Sequence, residues 1–118
     1  KGHAKVKWVN YAGLADHADH GLVQKYMGGR ASGILTFGVK GGLDAGKAVI
    51  DGVNIFSRLA NVGDAKSLII HPASTTHAQL SAAERVTTGV TDDLIRLSVG
   101  LEDVQDLRED LVRALTFE

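Results

Sequence analysis

The sequence contains no cysteine, so neither a disulfide framework nor a thiolate metal site can organise it. Its single proline, Pro72, follows directly on a strand-like run. The apolar runs are only a few residues long, far short of a membrane-spanning helix. No signal-peptide pattern is present. Neither sign of charge dominates: 13 basic residues stand against 14 acidic ones, for a net charge of -1. With no basic tract among them, nothing selects a nucleic acid or an anionic membrane as partner. The expectation is a soluble, cytoplasmic protein. There is no initiator methionine, and a strand-like run starts at Val6, which raises the expectation of a piece of a longer protein.

What is present suits one domain over residues 1–118. A hydrophobic fraction of 44% is enough for a core, and a domain of this size buries roughly two-thirds of its unfolded surface. The segment Val6–Val9 reads as a half-buried strand. His17 to Met27 carries Leu22, Val23 and Tyr26 at helical spacing and ends at Gly28-Gly29. Ile34–Val39 reads as a strand. Ala45, Ala48, Val49, Gly52, Ile55, Phe56 and Leu59 form one apolar stripe, which predicts a helix reaching Leu59. Ser67–Ile70 is a short buried strand closed by His71-Pro72. Ser81 with Glu84 has the capping-box pattern of a helix start. Asp93–Val99 is a strand. Val104, Leu107, Leu111 and Ala114 mark a last helix with Asp103, Asp106, Glu109, Asp110 and Arg113 on its outer face. Strands and helices alternate as βαβαβαβα, which argues for a layered α/β domain. The pattern leaves parallel and antiparallel sheets open.

The sharpest chemical anomaly is Arg96, in the middle of Leu94-Ile95-Arg96-Leu97-Ser98-Val99. Its planar fork of donors matches a carboxylate bidentately. It is therefore a candidate anchor for a substrate carboxylate, against the commoner alternatives of a surface arginine or a structural ion pair. His17 and His20 are three apart with no third ligand at a recognised spacing, so a polar loop or helix start is the plainer reading and no metal is expected. His71 and His77 bracket Pro72-Ala73-Ser74-Thr75-Thr76, which fits either a pocket lining or a self-satisfied turn. Ser74 beside these histidines is a weak match to nucleophilic chemistry, since no GxSxG elbow is present. Gly41-Gly42-Leu43-Asp44-Ala45-Gly46-Lys47-Ala48 approaches the phosphate-loop pattern. Ala48, however, stands where Ser or Thr is needed, and Gly46 and Lys47 fall inside the predicted helix.

Five blocks then occur in an order characteristic of one family. They are Trp8-Val9-Asn10-Tyr11, Gly33 to Gly42, Ala60-Asn61-Val62-Gly63-Asp64-Ala65-Lys66-Ser67-Leu68, His71 to His77, and Leu94 to Glu102. Together they resemble the Cys/Met-metabolism family of pyridoxal-phosphate (PLP) enzymes, on its O-acetylhomoserine sulfhydrylase branch, over essentially the whole chain. The resemblance implies the C-terminal domain of a fold-type I PLP-dependent transferase: a small, mainly antiparallel sheet with helices on one face. It implies replacement of the acetyl group of O-acetylhomoserine by sulfide to give homocysteine, with PLP as electron sink, in a homotetramer. Cystathionine γ-synthase and methionine γ-lyase are the alternative branches, and an isolated non-catalytic domain is the other alternative. By the same resemblance Arg96 grips the α-carboxylate of a small amino-acid substrate, and Asn61 belongs to the same carboxylate site. The PLP-binding N-terminal domain, with the family's cofactor-bearing lysine, is expected outside this chain. Neither Lys40 nor Lys47 lies in that lysine's motif, so no catalytic or cofactor-binding residue is assigned here. The family pattern also leads one to expect proline near positions 12, 15 and 18, where Ala12, Ala15 and Ala18 stand.

Overall fold

The computed structural model describes residues 1–116. Five strands form one sheet: β1 (Val6–Asn10), β2 (Ile34–Val39), β3 (Ser57–Arg58), β4 (Leu68–Ile70) and β5 (Leu94–Ser98). Their spatial order is β1-β2-β5-β4-β3. The β1–β2, β2–β5 and β5–β4 pairs are antiparallel, and only β3–β4 is parallel. The sheet is mainly antiparallel, as the family resemblance implied. The helices are α1 (His20–Tyr26), α2 (Gly42–Gly52), α3 (Ala82–Thr87) and α4 (Val104–Ala114), with a 3₁₀ turn at Pro72–Ser74.

Strand alternation sorts the two faces of the sheet. Phe37, Ile95, Leu97 and Ile69 share one face and pack with Val49 of α2, with Val53 just after it, and with Leu107 and Ala114 of α4. A register irregularity between Val6 and Trp8 lets both Val6 and Val9 lie against this core, which simple alternation would not allow. The other face carries Trp8, Gly38 and Leu94 in one cross-strand row, and Asn10, Thr36, Arg96 and Ile70 in the next. Gly38 is needed there: a Cβ would lie 2.1 Å from the Trp8 indole nitrogen. That nitrogen donates to Asp93 at 3.1 Å. Burial opposes the charged form of Asp93, but the Thr91 side chain, the Trp8 indole N–H and the more distant Lys7 charge together outweigh it and hold the carboxyl below its ordinary range.

Four expectations need correction. The helix predicted to reach Leu59 stops at Gly52, and residues 57–58 form β3. The cause is Asp110, whose carboxylate accepts the backbone N–H groups of Asn54 and Ile55, each at 2.8 Å, and of Phe56 at 3.3 Å. Those donors serve a tertiary contact in place of a continued helix ladder. Asp110 is consequently not on the outer face of α4; it is 1% exposed, and Arg113 completes its partners. Val104, by contrast, is exposed. Finally, α1 begins at His20, because residues 11–20 form three successive turns: Leu14, His17 and His20 donate to the carbonyls of Tyr11, Leu14 and His17. The capping box of α3 forms as its sequence predicts, with Ser81 and Glu84 bonded reciprocally.

Candidate functional site

Arg96 stands mid-strand on β5, on the face opposite the core. Its neighbours across the ladder are Thr36 of β2 and Ile70 of β4. Beyond β4, the chain leaving β3 must return to start a parallel strand, and residues 59–67 make that return. Arg96 Nη2 donates to the backbone carbonyl of Asn61 at 3.0 Å. The structure thus brings together the two residues the sequence singled out, through the Asn61 main chain. The Asn61 side chain turns into its own loop, accepting from Val62 N–H at 2.8 Å and donating to Asp64 at 3.4 Å.

The loop is held firmly. Asp64 accepts the N–H of Lys66 at 2.9 Å, and Gly63 takes a φ of +76°, which an L side chain rarely adopts. Glu102 grips Ser67 through its N–H at 2.9 Å and its hydroxyl at 3.0 Å. The hydrogen bond from the Ser67 N–H, opposed in part by burial, holds the Glu102 carboxyl below its ordinary range. Gly100 lets the end of β5 approach this loop, since a Cβ there would lie 2.2 Å from the Ala65 carbonyl oxygen. The motif from Ala60 to Leu68 is therefore a hydrogen-bonded bracket that carries Asn61 O to Arg96.

Three of the six arginines have a carboxylate partner among the described residues, and of the other three Arg30 and Arg108 are exposed while Arg96 is half-buried. Arg58 pairs with Asp51 at 3.3 Å, Arg85 with Asp92 at 2.8 Å, and Arg113 with Asp110. Among the described residues no carboxylate lies within ion-pair distance of Arg96, which is half-buried and makes one hydrogen bond. A guanidinium fork held at one corner on an apolar strand, with its remaining donors free, can receive an external carboxylate.

The other candidates resolve into structural parts. His17 Nε2 bonds the Asn10 side chain at 2.7 Å, and His20 Nδ1 the Ala12 carbonyl at 3.1 Å, so both tie down the turns before α1. Among the described residues no three metal-ligating side chains gather. His71 is 1% exposed; its Nε2–H donates to the Asp92 carbonyl at 2.7 Å and its Nδ1 shares a hydrogen bond with the Ser74 hydroxyl at 2.8 Å. The ring lies on α2, where Gly46 makes room: a Cβ there would be 2.5 Å from Nε2. This accounts for Gly46 without a phosphate loop, and Gly46 and Lys47 do lie within α2. His77 bonds only its neighbour Thr76, at 2.8 Å, through its side chain.

Comparison with known proteins places this arrangement. The family model for Cys/Met metabolism PLP-dependent enzymes matches residues 1–116, and the chain belongs to that family. An O-acetyl-L-homoserine sulfhydrylase of Thermus thermophilus is 52% identical over 94% of this chain, and a homocysteine synthase of Schizosaccharomyces pombe is 48% identical over 96%. In each case the match covers 26% of the relative, so the chain spans about a quarter of their length. Among solved structures, an O-acetylhomoserine (thiol)-lyase from Campylobacter jejuni, bearing N'-pyridoxyl-lysine-5'-monophosphate, superposes with a TM-score of 0.88. It is 46% identical, and the match covers 98% of this chain and 28% of that one. A cystathionine γ-synthase from Xanthomonas oryzae, in complex with aminoacrylate and cysteine, gives 0.85 at 40% identity, covering 98% and 30%.

The described residues do not fit a PLP cradle by themselves. Six of the seven lysines are exposed and Lys5 is half-buried, so none is enclosed, whereas a lysine that carries PLP needs an enclosing site. The start of α2 puts the Asp44 carboxylate in its first turn, where it would repel a phosphate.

Proposed function

We propose that this chain is the substrate-carboxylate-binding, C-terminal domain of a PLP-dependent O-acetylhomoserine sulfhydrylase, which replaces the acetyl group of O-acetylhomoserine by sulfide to give homocysteine. The observation that carries the reading is Arg96: a guanidinium fixed by Asn61 O, with no carboxylate partner among the described residues. Binding energy spent on the carboxylate holds the amino acid in one orientation, so that the reacting carbons meet the rest of the enzyme at a fixed place. Arg96 supplies the charge and fork, and the Asn61 bracket supplies the aim. PLP and the lysine that carries it belong to the part of the enzyme outside these residues, and this chain alone is inactive. By the same reading the enzyme is a cytoplasmic homotetramer.

The curated relatives near 50% identity favour the sulfhydrylase branch over cystathionine γ-synthase, whose solved structure stands at 40%. The test is an assay of the full-length enzyme with O-acetylhomoserine and either sulfide or cysteine, and with methionine alone. Homocysteine formation from sulfide supports the assignment. Preference for cysteine, or elimination from methionine, moves the enzyme to another branch.

A further inference from the structure

The row of side chains on the open face of the sheet contains one more group suited to a carboxylate. Thr36 pairs with Arg96 across β2 and β5. Val39 N–H donates to Asp93 O at 3.1 Å and Val99 N–H to Gly33 O at 2.8 Å. In an antiparallel ladder, hydrogen-bonded pairs alternate with pairs that are not. The Val39–Asp93 and Gly33–Val99 positions thus fix Thr36–Arg96 as a non-hydrogen-bonded pair, the kind in which Cα atoms approach to about 4.5 Å and side chains lie closest. Thr36 is half-buried, and its hydroxyl has no hydrogen-bond partner among the described residues. Asn10, next in the row, is occupied by His17. On the far side of Arg96 the Asn61 bracket already engages Nη2. On the β2 side, the residue that faces Arg96 across the ladder is Thr36.

We propose that Thr36 is a second binding residue for the substrate's α-carboxylate, its hydroxyl donating to one carboxylate oxygen while Arg96 holds the group from the other flank. This rests on the carboxylate reading of Arg96 and deepens it. A guanidinium only donates, so the pair favours an anion with two acceptor oxygens over a neutral amide, which has one.

The test compares Thr36→Val, Thr36→Ser and Arg96→Ala in the full-length enzyme, with O-acetylhomoserine and with its α-carboxamide analogue. Valine keeps the branched shape that suits a strand and removes only the hydroxyl. A hydrogen bond to a charged group implies a rise in KM of about tenfold or more for Thr36→Val with the carboxylate substrate, with kcat little changed. Thr36→Ser restores the wild-type value, and the carboxamide responds equally in wild type and Thr36→Val. If Arg96→Ala raises KM but Thr36→Val does not, Thr36 has no such role and the Arg96 reading stands. If Arg96→Ala leaves KM unchanged, the carboxylate site itself is wrong and Thr36 falls with it. A Thr36→Val loss that is equal for carboxamide and carboxylate overturns the proposal in favour of a structural effect.

Discussion

The carboxylate of Asp110, buried in α4, accepts the backbone N–H of Ile55 at 2.8 Å, just beyond the end of α2. With Asn54 and Phe56 donating beside it and Arg113 alongside, this single side chain ends one helix and seats another. Burial alone would raise its pKa, but the three N–H groups and the Arg113 charge outweigh that and lower it from the ordinary 3.8. Asp110→Ala leaves buried N–H groups unpaired and is expected to cost on the order of 3–5 kcal/mol in urea unfolding.

The same contact sets a pH dependence. Because the folded pKa of Asp110 lies below the unfolded one, its contribution is complete above about pH 4 and is lost as pH falls through that value toward the folded pKa. Asp93 and Glu102, also lowered, act in the same window. Wild-type stability should fall below about pH 4. The Asp110→Asn variant should start less stable and lose less on acidification. Thermal midpoints measured from pH 7 downward check this; an equal acid slope in the variant contradicts it.

Ala12, Ala15 and Ala18 occupy the second position of the three successive turns before α1, and none donates a backbone hydrogen bond. Among the described residues no non-glycine residue has positive φ. Proline suits that turn position because its ring fixes φ near the required value. Each Ala→Pro change there is expected to stabilise by about 0.4–1 kcal/mol through the unfolded chain. Ala48→Pro, inside α2, should cost about 3 kcal/mol or more and serves as the control. Thermal unfolding of the four variants decides it.

Gly46→Ala would drive a Cβ into a His71 ring that Asp92 and Ser74 hold in place. Overpacking of this kind costs about 1–3 kcal/mol. Adding His71→Ala should relieve part of that cost, so the double variant is less unstable than the sum of the singles. Strict additivity would show that the ring is not what Gly46 accommodates.

Much of this was legible in the sequence, and the rest was hidden for definite reasons. Periodicity marked β2, β5 and α4, and capping chemistry marked α3, because those signals are local. The stop at Gly52 was not local: the apolar stripe runs on through Ile55 and Phe56, and the residue that ends the helix is 54 or more positions away in sequence. Asp110 read as surface because a carboxylate is rarely buried, and its partners are backbone groups that pattern does not reveal. Arg96 was visible as an oddity, and its link to Asn61 came from resemblance. Thr36 was invisible as a neighbour of Arg96 because strand register is a tertiary fact.

The most direct test of the carboxylate site is steady-state kinetics of Arg96→Ala in the full-length enzyme, with cofactor occupancy followed by absorbance. Loss of a charge-assisted, bidentate contact predicts a fall in kcat/KM for O-acetylhomoserine of about 100-fold, carried mainly by KM, with PLP content unchanged. A variant that keeps wild-type KM, or that loses PLP in parallel with activity, would contradict the assignment of Arg96 to the substrate carboxylate.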